Sequence, residues 1–197
     1  MTRLTASMRW RTVDIVVASS IAVAFGVVFW AWNNLWAATG GLFSWFAPAQ
    51  ALFYGVWLLP AVLGGLVIRR PWAALYCETV AAVVSALIGS AWGVTVLPQG
   101  ILEGLGAELV FLLFLYRVAT LPVAALAGAV AGICATVFDA CYWYADTSWP
   151  SYRLPYIGFG TLSALVIAGV GGWALTRALA GTGVLDRFPA GRDRTAV

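Results

Sequence analysis

Six stretches of the chain are apolar almost without interruption, and each approaches the roughly 20 residues that cross a bilayer as a helix. They run over about 13–33, 50–68, 73–91, 100–118, 123–143 and 156–176. Turn-forming and polar residues gather between them: Thr39-Gly40-Gly41 with Pro48, Arg69-Arg70-Pro71, Gly93 to Pro98, Arg117 to Pro122, and Asp146 to Pro155. Hydrocarbon offers no partner to an open strand edge, so all six are expected to be helices. The pattern thus predicts one all-α integral membrane domain over 1–197 with six transmembrane helices. Arg3, Arg9 and Arg11 ahead of an apolar run resemble the start of a signal peptide. The run is too long for an h-region, which favours an uncleaved first helix.

Charge adds direction. Every basic residue is an arginine, and the net charge is +3. Arg3, Arg9, Arg11, Arg69, Arg70, Arg117, Arg177, Arg187, Arg192 and Arg194 fall on one side of the expected bundle and only Arg153 on the other. Under the positive-inside rule both termini are expected in the cytoplasm. With 62% hydrophobic and 10% charged residues, the composition excludes a soluble globular domain, and the arginines read as topology signals, with no nucleic-acid partner expected. Cys77, Cys134 and Cys141 all lie in apolar spans and read as small packing residues. The chain has no His, no P-loop, no CxxC and no acid–His–nucleophile set, so no metal, no cofactor and no enzymatic activity are expected. An ATP-driven function would need separate subunits.

Four acids break the apolar pattern: Glu78, Glu103, Glu108 and Asp139. A charged side chain at mid-membrane costs roughly 2.5–3.5 kcal/mol, against about 0.3–0.6 kcal/mol returned by a Leu or Ile, so the four are expected to face a polar interior. Glu108 is the leading candidate for ligand binding, because it continues the stripe Gly100, Gly104 along which a ligand or helix can approach closely. Glu103 lies about 140° away from it around the helix. Glu78 shares a face with Ala82, Ser85 and Gly89, where capping a helix end or pairing with Arg69 or Arg117 competes with ligand binding. Asp139, Tyr142 and Trp143 stand at i, i+3 and i+4, one carboxylate beside two rings.

Seven of the eleven tryptophans (30, 32, 36, 45, 92, 143 and 149) fall toward the external side, and an interfacial belt would populate both faces. Aromatic walls with carboxylates suit a flat, cationic or amine-bearing ring. The expected ligand-binding set is Glu108, Asp139, Glu103, Glu78, Trp30, Asn33, Asn34, Trp36, Trp57, Trp92, Gln99, Tyr142 and Trp143. The uncharged, aromatic loop Leu35 to Ala47 is expected to act as a lid. Ala18, Ala22 and Gly26 form a small-residue stripe on the first helix, read either as close packing within the bundle or as a docking face for a membrane partner.

Three segments carry a resemblance: Phe53-Tyr54-Gly55-Val56-Trp57, then Ile68-Arg69-Arg70-Pro71-Trp72-Ala73-Ala74-Leu75 with Glu78, and Glu103-Gly104-Leu105-Gly106-Ala107-Glu108. Together with the late Thr182-Gly183-Val184-Leu185 they resemble the YkoE family, substrate-binding (S) components of energy-coupling factor vitamin transporters. The chain departs from the usual pattern in having Glu103 where members tend to carry Gln and Trp72 where they tend to carry Gly. The resemblance implies a binder of thiamine or its hydroxymethylpyrimidine precursor in the bacterial plasma membrane. It also implies a transmembrane coupling protein and two ATPase subunits as partners, with Ala18 and Ala22 matching the family's docking pattern. The rival readings are a proton-coupled carrier using the buried acids as a relay, and a membrane enzyme acting on lipid.

Overall fold

The structure is a computed structural model that describes residues 8–192; Arg3 and Arg194, counted above among the topology arginines, lie outside them. The described residues are helical with turns between. The first crossing is α1 (Thr12–Thr39). The second is composite, a 3₁₀ stretch Ala47–Val56 followed by α2 (Leu59–Ile68). Then come α3 (Ala73–Leu87), α4 (Val96–Leu113) and α5 (Leu121–Tyr142). The last crossing runs from Trp149 to Gly181 through α6 (Leu154–Ser163), a π segment Ala164–Gly171 and α7 (Gly172–Gly181). A short α8 (Pro189–Arg192) ends the described chain. Five of these segments are long and apolar enough to cross a membrane, and α3 is a shorter apolar sixth.

The second crossing is the axis of the bundle. Each residue from Pro60 to Ile68 is buried, as expected of a helix that is apolar all round. The other crossings wrap it in an arc, α1 on α3, α3 on α4, α4 on α5, and α5 on the last crossing. The break between Val56 and Leu59 leaves helix-start donors inside the membrane, where each needs a partner. Pro60 has no N–H to satisfy. Ala61 N donates to Glu78 Oε2 at 3.0 Å, so Glu78 serves as the cap of α2. Ser163 fastens the 3₁₀ half: its hydroxyl accepts from Gly55 N (2.9 Å) and donates to Leu52 O (2.7 Å).

Boundaries move from their expected places for identifiable reasons. The first helix continues to Thr39, so the expected lid loop shrinks to a 3₁₀ turn, Gly40–Phe43, and a short link. The fourth begins at Val96 because Pro98 falls in the first turn, where its missing N–H costs nothing. It stops at Leu113 because Leu115 and Tyr116 turn to φ 52° and 57°, outside helical space. The basic ends converge: the Arg11 guanidinium reaches Arg187 O at 3.5 Å and lies 5.7 Å from the Phe188 ring, and Arg70 lies 3.6 Å from buried Asp14.

The Ala18, Ala22, Gly26 stripe is the α1–α3 seam, which corrects the docking reading. Ala18 and Ala22 are fully buried, and a side chain at Gly26 would run into Val84. The small residues let two helices meet closely, and no face of theirs is left for a partner in this structure. Ala22→Leu is expected to overpack the seam and destabilise the isolated protein by about 1–3 kcal/mol. A lowered thermal midpoint in detergent, with no partner present, is the expected result. An unchanged midpoint would contradict the seam.

Candidate functional site

A cavity of about 220 Å³ lies in the half of the bundle remote from the converging arginines. Its walls come from the end of α1 (Asn33, Trp36), the 3₁₀ stretch and the residue after it (Tyr54, Trp57), and the start of α4 (Gln99, Glu103). The end of α5 and the start of the last crossing close it with Asp139, Trp143, Tyr144 and Tyr156. The 3₁₀ form accounts for one wall. With three residues per turn, positions i and i+3 eclipse, so Tyr54 and Trp57 face the same way, their rings 5.3 Å apart. Trp57 is then set by neighbours: its Nε1 donates to Asn33 Oδ1 at 2.9 Å, and Asn33 Nδ2 donates to Ser90 Oγ at 3.1 Å. Trp36 stands 5.0 Å from Trp57 on one side and Trp92 5.7 Å on the other. The result is a fixed aromatic wall with no cation in it.

The two carboxyls differ in how fully they are engaged. Asp139 accepts from Tyr156 Oη at 2.8 Å on Oδ2 and from Gln99 Nε2 at 3.2 Å on Oδ1. Glu103 takes a long bond from Tyr54 Oη, 3.4 Å, on Oε1, and Gln99 lies beside it as a second donor. Gln99 also donates to Tyr54 Oη at 2.5 Å, which links the two acids through a phenol and an amide. Both acids are almost wholly buried, at 4% and 5% exposure. Chemically this is an aromatic slot holding two buried carboxyls, of which Asp139 has the closer hydrogen-bond partners.

The expected site residues divide accordingly. The structure brings Asn33, Trp36, Trp57, Trp92, Gln99, Glu103, Asp139 and Trp143 to the cavity. It places Glu108, Glu78, Trp30, Asn34 and Tyr142 elsewhere. Glu108 Oε1 accepts from Trp72 N (2.6 Å) and Tyr116 Oη (2.6 Å), and Oε2 from Ala74 N (2.9 Å) and Leu75 N (3.3 Å). It closes the start of α3 instead of facing a ligand, and the Gly100, Gly104, Glu108 stripe is the seam on which α3 rides. Trp30 and Asn34 face outward, with Asn34 Nδ2 on Trp30 O. Tyr142 is 56% exposed and stacks on Phe138.

Helix α5 stops at Tyr142, and Trp143 N and Tyr144 N both turn back to Asp139 O, which swings Tyr144 inward in place of Tyr142. Sequence reasoning missed Tyr54, Tyr144 and Tyr156, together with the flanking Phe29, Ala82, Ser85 and Val96. A tyrosine inside an apolar span needs a partner for its hydroxyl, and that was the available signal.

Known proteins place this geometry in context. The family described as "ABC-type cobalt transport system, permease component" matches residues 13–134. The chain is 35% identical over 185 residues to YkoE of Bacillus subtilis (strain 168), provisionally named an HMP/thiamine permease protein; the match covers 93% of this chain and 92% of that one. A crystal structure described as an S-component of an ECF transporter superposes with a TM-score of 0.89 at 34% identity, covering 95% of this chain and 94% of that one. Permease and transporter components are not enzymes, and neither is this multi-pass membrane protein. Similar in sequence over nearly its whole length and in fold, the chain belongs to the YkoE family and is an S component of an energy-coupling factor transporter.

Proposed function

We propose that this S component captures thiamine, or its hydroxymethylpyrimidine precursor, from the external side of the bacterial plasma membrane. A transmembrane coupling protein and two ATPase subunits then drive its uptake. The observation that carries the ligand reading is the aromatic cavity with Glu103 and Asp139 inside it. A pocket of about 220 Å³ is a little below the range for drug-sized ligands and suits a molecule of one or two small rings. Trp36 and Trp57 supply faces for a flat or cationic ring, and Glu103 supplies a carboxyl acceptor for an exocyclic amine. External access is supported by the arginines, which gather at the opposite end of the bundle.

The relative's name supports the same ligand. The metal in the family description fits less well. The chain has no His, the described residues hold no cluster of three metal-ligating side chains, and first-row transition metals favour imidazole or thiolate.

Titrating the detergent-purified protein with thiamine, hydroxymethylpyrimidine and riboflavin, followed by tryptophan fluorescence, tests the proposal. Thiamine or the pyrimidine is expected to quench saturably at submicromolar concentration, because four tryptophans line the cavity, and riboflavin is expected not to compete. No saturable response to either would overturn the ligand assignment. Uptake by this chain alone in vesicles, driven by a pH gradient without ATPases, would overturn the coupled mechanism and favour a carrier.

A further inference from the structure

At the opposite end of the bundle from the cavity, the α4–α5 turn and α7 enclose a second concavity, of about 370 Å³. Its charged residues are Arg117 and Arg177, Thr120 adds a hydroxyl-bearing side chain, and its apolar walls are Val118, Ala119, Leu121 and Trp173. Among the described residues neither arginine is paired with a carboxylate. Both point outward, yet both stand on fixed supports. Arg177 lies over Trp173, its Cζ 5.0 Å from the ring centroid, and Trp173 is half-buried against the main core. Arg117 follows Tyr116, whose hydroxyl is tied to Glu108 at 2.6 Å. The surface around the groove is that of a helix bundle facing hydrocarbon: Leu113, Leu115, Leu121, Leu175 and Leu179 are all outward.

We infer that this groove is a binding site for the headgroup of an anionic phospholipid. Two cations at the arginine-rich end stand where a phosphodiester and a second negative charge would lie, and guanidinium meets phosphate oxygens with a bidentate fork. An interfacial tryptophan marks the headgroup level, and the adjoining leucines give the acyl chains an apolar wall. A free phosphate shares the charge but gains nothing from that wall. Basic pockets between transmembrane helices on this side of a membrane have the chemistry to select anionic lipid.

Native mass spectrometry of the full-length protein in mixed micelles tests this, titrating phosphatidylglycerol, phosphatidylcholine and inorganic phosphate in turn. Each arginine near an anionic surface contributes about a fivefold preference. Phosphatidylglycerol is therefore expected to be retained about 25-fold over phosphatidylcholine, to fall to parity in Arg117→Gln/Arg177→Gln, and to be largely kept in Arg117→Lys/Arg177→Lys. The cavity ligand's fluorescence quenching, about 27 Å away along α5, is expected to be unchanged in both variants, which excludes misfolding as the cause. Equal retention of the two lipids, undiminished phosphatidylglycerol binding in the double Gln variant, or inorganic phosphate displacing the lipid at equal concentration would overturn the inference.

Discussion

Glu108→Ala is expected to lower the thermal midpoint of the purified protein by roughly 10 °C or more, while leaving ligand affinity per folded molecule close to its original value. The carboxylate gathers three backbone N–H groups, from Trp72, Ala74 and Leu75, and the Tyr116 hydroxyl. Each buried donor left unpaired costs about 1–3 kcal/mol, so even with partial relief by water the loss is on the order of 3–5 kcal/mol. In a domain of about 200 residues each kcal/mol moves the midpoint by roughly 2–4 °C. The same acid also holds backbone in left-handed conformations, φ 71° at Trp72 and 57° at Tyr116, which cost about 1–3 kcal/mol each and persist only under constraint. Glu108→Gln is expected to be nearly as damaging, because its amide presents donors to donors. Scanning fluorimetry with and without thiamine separates the roles. A normal midpoint with abolished binding would place Glu108 at the ligand and contradict its place beneath α3.

The sequence was most legible where one rule acts alone. Apolar length set the number of crossings, and arginine placement matched the end at which Arg11, Arg70 and Arg187 meet. The four buried acids were expected to face a polar interior and a ligand, yet Glu78 and Glu108 meet helix starts, because a carboxylate's partner can be a ligand or a helix end and spacing along one helix does not distinguish them. Glu103 and Glu108, 140° apart on α4, illustrate this: one turns to the cavity and the other to α3. Hydropathy could not show that the second crossing breaks near Trp57, nor that its first half is 3₁₀. Those two features place Tyr54 in the cavity and make Glu78 a cap. Likewise the i, i+3, i+4 reading put Asp139, Tyr142 and Trp143 on one face, but only Asp139 and Trp143 line the cavity, while Tyr142 turns outward onto Phe138. Trp72 sits at φ 71°, a left-handed conformation that glycine adopts more readily than a bulky residue.

Glu103→Ala is expected to weaken binding of the amine-bearing ring about 100-fold, and Glu103→Gln only about five- to tenfold. The distinction follows from how each carboxyl is engaged. Asp139 accepts closely from Tyr156 and Gln99, whereas the Tyr54 bond to Glu103 is long, 3.4 Å, and Glu103 faces the same cavity. A hydrogen bond to a charged group contributes about 1.5–3 kcal/mol and a neutral one about 0.5–1.5 kcal/mol. Removing the acceptor therefore forfeits the larger amount, and an amide oxygen keeps part of it. Asp139→Asn acts differently, by releasing Tyr156 and Gln99 from their fixed orientations. It is expected to cost about tenfold for thiamine and hydroxymethylpyrimidine alike, since what is lost is the shape of the wall and not a contact to the ligand.

Titrations of the three variants with both ligands decide the matter. If Glu103 reads the amine, its substitutions penalise thiamine and the neutral pyrimidine equally. A penalty confined to thiamine would mean that the acid reads the cationic ring, and the ligand would then lie reversed in the slot. Full affinity in Glu103→Ala for both ligands would remove Glu103 from the site and leave the aromatic wall of Trp36, Trp57 and Trp92 as the whole of the recognition.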